Sequence, residues 1–453
     1  MAADTRSTTL SKPAETGGHA SSREAPSVRK YIPGFGNQHQ SEALPGALPV
    51  GQNSPQKPPL GLMAEHISAT AFTAPRAENQ HTWVYRIRPS VMHSEFKQTS
   101  EGRLGTAPLA GSKITPNRCR WDPWPIPARP TDFIGGLTTL IANGNVEERN
   151  GSAVHVYAIN QPMVDRVIAN FDGELLIVPE QGGLVLITEL GVLEVEPCEV
   201  ALIPRGIKFR VELSGGTARG FVGENYGTPF RLPELGPIGS NGLANPRDWL
   251  APVAAFEDRD GTFEFVVKFG GGLWIAQLPH SPFDVVAWHG NCAPMKYDLA
   301  RFNAMNTVTY DHADPSIFTV LHSPSELPGT ANVDFAAFPP RWFVAEHTFR
   351  PPWFHRNTMS EFVAGLKGTP EARARGYVQG SCHMHNCMAA HGPDPEVFKL
   401  ASSAELKPTR DENFAIMFES RLPFRVAAAA QNSETLRKNY DQNWDGMPRF
   451  FRG

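Results

Sequence analysis

Between Glu174 and Phe209 short apolar runs alternate with glycine turns. Glu174-Leu175-Leu176-Ile177-Val178-Pro179 leads to Gly182-Gly183, and Leu184-Val185-Leu186-Ile187-Thr188-Glu189 follows. After Gly191 come Val192-Leu193-Glu194-Val195, then Val200-Ala201-Leu202-Ile203-Pro204-Arg205-Gly206 and Phe209. Such runs are too short for helices and rich in β-branched residues, so each reads as a strand. Their regular spacing predicts a small antiparallel barrel or jelly roll. His81-Thr82-Trp83-Val84-Tyr85-Arg86-Ile87 alternates with the period of a half-buried strand. Helical pattern is sparse, and Ser433–Tyr440, with Ser433 as N-cap, is one candidate helix. The 40 Gly and 41 Pro cut the chain into short segments. The fold class expected is mostly β.

A chain of 453 residues exceeds the ~250–300 residues at which single cores stop growing, so two or more domains are expected. Pro233, Gly236, Pro237, Gly239 and Gly242 form an aperiodic stretch that opens a boundary zone over 235–310. The division expected is a disordered tail at 1–29, an N-terminal β domain at 30–290 and a C-terminal catalytic domain at 291–453. The tail is rich in Ser, Thr, Ala, Gly and Pro, which cannot build a core. Segments 171–210 and 342–400 share a strand-turn pattern that suggests a duplicated barrel. No histidine lies between His155 and His280. The first copy therefore cannot hold a histidine-bound metal and is expected to be structural.

Charge narrows the function classes. The net charge is −4, which offers no footprint for nucleic acid or an anionic membrane. No apolar run approaches the ~18 residues of a membrane span. The first residues lack the apolar stretch of a secretory signal, and Asp4, Glu15 and Glu24 argue against a mitochondrial one. The 5 cysteines are odd in number and irregular in spacing, which points to a reducing, cytoplasmic setting. Cys382 and Cys387 read as small thiols rather than ligands.

The chemistry concentrates late in the chain. His347, His355, His383, His385 and His391 are five of the 15 histidines. Glu361 follows His355 by six residues, and His391 follows Glu361 by thirty. Two imidazoles and one carboxylate can hold a divalent iron on one face and leave other positions open for substrate and oxygen. Six residues of extended strand span ~20 Å. His355 and Glu361 can therefore share an ion only if the polar Asn357-Thr358-Met359-Ser360 bends the chain and Glu361 starts a returning strand. His391 is expected on a third strand, with Asp394 as a partner for an imidazole. The pair His383-Met384-His385 competes with His391 for the third place.

Longer strings carry a resemblance. They include Tyr31-Ile32-Pro33-Gly34-Phe35-Gly36-Asn37, Leu48-Pro49-Val50-Gly51-Gln52-Asn53-Ser54-Pro55-Gln56 and Asp311-His312-Ala313-Asp314-Pro315-Ser316. In the histidine region they are His355-Arg356-Asn357, Met359-Ser360-Glu361-Phe362 and His391-Gly392-Pro393-Asp394. With these the chain resembles the homogentisate 1,2-dioxygenase family from about Tyr31 onward. The resemblance implies a bicupin-like fold with a metal-free N-terminal cupin half, and a homohexamer built as a dimer of trimers. It implies Fe(2+) held by His355, Glu361 and His391. It also makes His312 the proton acceptor and sets His385, with His391, at the substrate. The small aromatic substrate homogentisate and O2 would give 4-maleylacetoacetate in phenylalanine and tyrosine breakdown. One position departs: Pro370 stands where the family has a substrate-contacting tyrosine, which bears on the ring's side arm. A dioxygenase for another hydroquinone, gentisate-like or alkylated, and a non-catalytic cupin binding protein are the alternatives.

Overall fold

The computed structural model describes residues 29–99, 102–234, 242–311, 315–369 and 376–453. The expected tail at 1–29 lies almost wholly outside them, as do His312 and Pro370. Tyr31–Gly453 is one compact unit, and its elements are overwhelmingly strands.

The glycine-punctuated region forms the strands its pattern predicts. Glu174–Gln181, Leu184–Thr188, Gly191–Val195, Glu199–Ile203 and Phe209–Leu213 follow one another. They are shared between two sheets. Glu174–Gln181 and Glu199–Ile203 lie in a ten-stranded sheet, and the other three in a seven-stranded one. In Leu184–Thr188 and Gly191–Val195 every second residue is buried, as expected when one face of each strand meets a core. Gly182, at φ 73°, makes the first turn, and a side chain there would strike the Thr217 carbonyl.

A six-stranded sheet carries the late histidine region. Its order is Thr319–Pro324, Ala331–Phe338, Phe414–Ser420, Ser360–Lys367, Cys382–His385 and Cys119–Trp121. The last of these strands comes from early in the chain. In return, Arg425–Val426 pairs with Leu137–Asn145 in the ten-stranded sheet. The two sheets meet through Phe221 and Phe362, whose rings lie 6.1 Å apart edge to face. Phe418 fills the space above Gly223, where an added Cβ would come 2.2 Å from its ring. Because side chains alternate across a strand, Phe362 and Phe418 point into this core while Glu361, Val363, Met417 and Glu419 face the other way, into a cavity.

Two local expectations need correction. Ser433–Tyr440 is not a helix. Ser433 Oγ accepts from Thr435 N at 3.2 Å in a tight turn. Leu436 then forms a bridge to Trp121, and Arg437 N donates to the Arg120 carbonyl at 2.9 Å. Pairing with a distant strand outweighs a weak helical preference. Among the described residues the second copy, 342–400, also holds fewer strands than the first: Arg341–Phe343, Ser360–Lys367 and Cys382–His385, then the helix Pro395–Ser403.

Candidate metal centre

His355 and His391 are held by a single antiparallel bridge rather than by strands. His355 N donates to the His391 carbonyl at 2.9 Å, and His391 N returns a bond to the His355 carbonyl at 3.1 Å. Pro351, Pro352, Pro393 and Pro395 flank the two histidines and have no N–H to extend a ladder. Residues that exchange both bonds project their side chains to the same side. The two imidazole centroids are accordingly 4.1 Å apart. Gly392 permits this approach, since a Cβ there would come 2.4 Å from the Phe354 ring.

Glu361 arrives from the sheet. The bend at 357–359 ends where the strand Ser360–Lys367 begins, and Glu361 is the strand's second residue. Its Oε2 lies 3.0 Å from His391 Nε2, and its Oε1 lies 3.9 Å from His355 Nε2. One ligand atom from each of His355, Glu361 and His391 lies within 4.8 Å of the others. The outer nitrogen of each ring is held by the backbone: His355 Nδ1 by the Trp353 carbonyl at 2.8 Å, His391 Nδ1 by the Ala389 carbonyl at 2.9 Å. Such bonds select the tautomer that leaves Nε2 as a lone-pair donor and fix the ring plane. Asp394, expected beside an imidazole, caps the helix Pro395–Ser403 by accepting from Val397 N at 2.9 Å.

The donor set suits a divalent cation. Burial pushes the Glu361 carboxyl up, but the hydrogen bond and charge of His391, with Asn357 and His355, hold it below the usual carboxylate range. A second acid, Glu419, pairs with Glu361 across the sheet. Burial and the neighbouring Glu361 raise its pKa to about 7, against a hydrogen bond from Asn357. A buried carboxylate, a half-buried one and two imidazoles thus converge. A bound cation would relieve the repulsion between the acids.

Beside this cluster lies a cavity of about 520 Å³, within the range of small-molecule sites. Phe318, Phe338, Trp353 and Met417 supply apolar wall, and Arg341 and Arg356 supply positive charge. His383 faces this space. His385 pairs with Glu361 across the sheet and is fully buried, its ring 3.9 Å from that of His391. Tyr377, seven residues after Pro370, donates its hydroxyl to the Ser381 carbonyl at 2.9 Å. Its ring lies edge to face with that of His383, centroids 5.8 Å apart. All five cysteines are free, and burial pushes the Cys382 thiol far up. Sequence reading missed Glu419. Its only signal was a lone acid in the apolar run Phe414-Ala415-Ile416-Met417-Phe418.

A family model described as homogentisate 1,2-dioxygenase N-terminal matches residues 30–299, and its C-terminal counterpart matches 300–451. The chain belongs to the homogentisate 1,2-dioxygenase family. Two proteins named homogentisate 1,2-dioxygenase, from two strains of Pseudomonas putida, are each 55% identical over 422 residues, covering 93% of this chain and 96% of theirs. Among solved structures, a cupin 2 conserved barrel domain protein from Leptotrichia buccalis aligns at 9% identity and TM-score 0.30, over 65% of this chain and 91% of that one. Among the described residues no helix is long and apolar enough to cross a membrane.

Proposed function

We propose that this chain is an iron(II) dioxygenase that opens the ring of homogentisate, placing both atoms of O2 in 4-maleylacetoacetate. The observation that carries the reading is the convergence of His355, Glu361 and His391 within 4.8 Å beside a cavity walled by aromatic side chains. It occurs in a chain of this family. Two imidazoles and a carboxylate fit iron(II), which prefers this facial set with open positions. Bound there, iron(II) supplies the oxygen activation that amino-acid side chains lack.

The chain's own residues do the rest. Trp353 and Phe338 enclose an aromatic ring, and Arg341 and Arg356 meet the negative charge of an acetate arm. The ring hydroxyl beside that arm must lose a proton, and His312 takes it; an imidazole with a pKa near 6.5 suits this transfer at neutral pH. Glu361 keeps the site's net charge low once the hydroxyl is ionised. His385, with its ring 3.9 Å from that of His391, meets the substrate together with His391, which also holds the metal. We assign the catalytic machinery to 291–453 and the supporting β domain to 30–290, and we read the assembly as a cytoplasmic homohexamer, following the family.

Oxygen uptake by the iron-loaded protein, with homogentisate and gentisate supplied separately, tests the reading. Uptake with homogentisate, appearance of the ring-opened product's ultraviolet band, and loss of both in His355→Ala are expected. Consumption of gentisate alone would move the substrate assignment. Full activity in His355→Ala would end the metal assignment.

A further inference from the structure

Asn357 stands between two acids. Its side-chain nitrogen Nδ2 donates to Glu361 Oε1 at 2.9 Å and also to Glu419 Oε1. Its Oδ1 accepts from Met359 N at 3.2 Å. That bond decides which end of the amide faces the acids, because only an oxygen can accept from a backbone N–H. The Asn357 carbonyl accepts from Met388 N at 2.7 Å, so the residue is pinned through its backbone as well. Glu419 reaches this point because the strands Ser360–Lys367 and Phe414–Ser420 pair in the register Glu361 to Glu419.

A carboxylate has two oxygens, and both can bind one cation. In Glu361 the two are not equivalent. Oε1 takes the amide N–H, whereas Oε2 lies 3.0 Å from His391 Nε2. The amide has two N–H groups, one for each acid. Glu419 takes the first and so aims the second at Oε1. We propose that Asn357 and Glu419 act as a positioning pair that holds Glu361 to a single metal-binding oxygen, Oε2, and so preserves an open coordination position for substrate or oxygen. This rests on the metal reading above. Without Asn357, Oε1 is released to chelate the ion, and the Glu361 and Glu419 carboxylates face each other with no donor between them. Without Glu419, the amide loses the partner that aims it.

The test uses the full-length chain with cobalt(II), whose visible spectrum reports coordination, and measures affinity by chelator competition. Asn357→Ala, Asn357→Asp and Glu419→Ala are expected to shift the cobalt bands in the same direction, as a second Glu361 oxygen joins the ion, and to change the affinity by about 10- to 100-fold. The Asn357→Ala/Glu419→Ala double variant is expected to shift bands and affinity no further than the more affected single variant, since the two act as one unit. Glu419→Gln keeps a carbonyl to accept from the amide and is expected to retain the wild-type spectrum. Asn357→Asp preserves size and guards against a packing failure, and the thermal transition of each metal-free variant confirms that it is folded. Unchanged bands and affinity in both Asn357 variants, additive shifts in the double variant, or a shift in Glu419→Gln equal to that in Glu419→Ala would each overturn the proposal. Wild-type protein that binds no cobalt would overturn the metal reading and this one together. Cobalt bound normally by the Asn357 variants overturns this one alone.

Discussion

Two clusters of buried acids, one in each half of the chain, answer the same electrostatic problem differently. In the first half Lys268 Nζ lies 2.7 Å from Glu224 and 3.1 Å from Asp172, and also donates to Thr106. His155 Nε2 sits 3.0 Å from the other oxygen of Glu224, and Asn170 Nδ2 donates to that acid at 2.6 Å. Burial would push Glu224 up, but Lys268 and His155 hold it down at about 2. Here the cation is part of the chain. In the second half Glu361 and Glu419 face two imidazoles and share one amide, and Glu419 is raised to about 7. The contrast teaches where function can reside. The first cluster carries its own cation in Lys268, whereas among the described residues no lysine or arginine pairs with Glu361 or Glu419, and an outside cation would fill that role.

The largest expected effect breaks the first cluster. Lys268→Met leaves Glu224 and Asp172 buried without their cation and should cost about 3–5 kcal/mol of stability, read from urea unfolding of the metal-free protein. A loss near zero would mean that His155 takes over the charge and that Lys268 is not the keystone. Next, added iron(II) or cobalt(II) at a hundred times its Kd should stabilise wild-type protein by about 2.7 kcal/mol. Lys268→Met should gain as much, and His355→Ala nothing. Equal gains in all three would place the cation elsewhere and erase the contrast.

The smallest effect concerns pH. Glu419 has a folded pKa raised to about 7 from an ordinary value of 4.5. Between these values the folded, metal-free protein holds more proton than the unfolded chain, so stability should fall as pH rises through this window. One proton limits the slope to about 1.4 kcal/mol per pH unit, and partial exposure of Glu419 makes it shallower. Glu419→Gln should flatten this part of the profile. A wild-type curve with no fall there, or one unchanged by the substitution, would show that Glu419 is ionised throughout.

Local pattern decided much of this protein. Short apolar runs between glycines could only be strands, because their length and period exclude packed helices, and Glu174–Leu213 forms as its alternation demands. The residue types of the metal centre were equally legible, since few side chains offer a lone pair to iron. Chain-distant pairing decided the rest. His355 and His391 meet through one bridge across 35 intervening residues, which no local period encodes. Register brings Glu419 opposite Glu361; a slip of one residue would have put Phe418 there, since successive strand side chains point to opposite faces. Trp121 and Arg120, early in the chain, deny Ser433–Tyr440 its helix because long-range hydrogen bonds and burial outweigh the few tenths of a kcal/mol in a local preference.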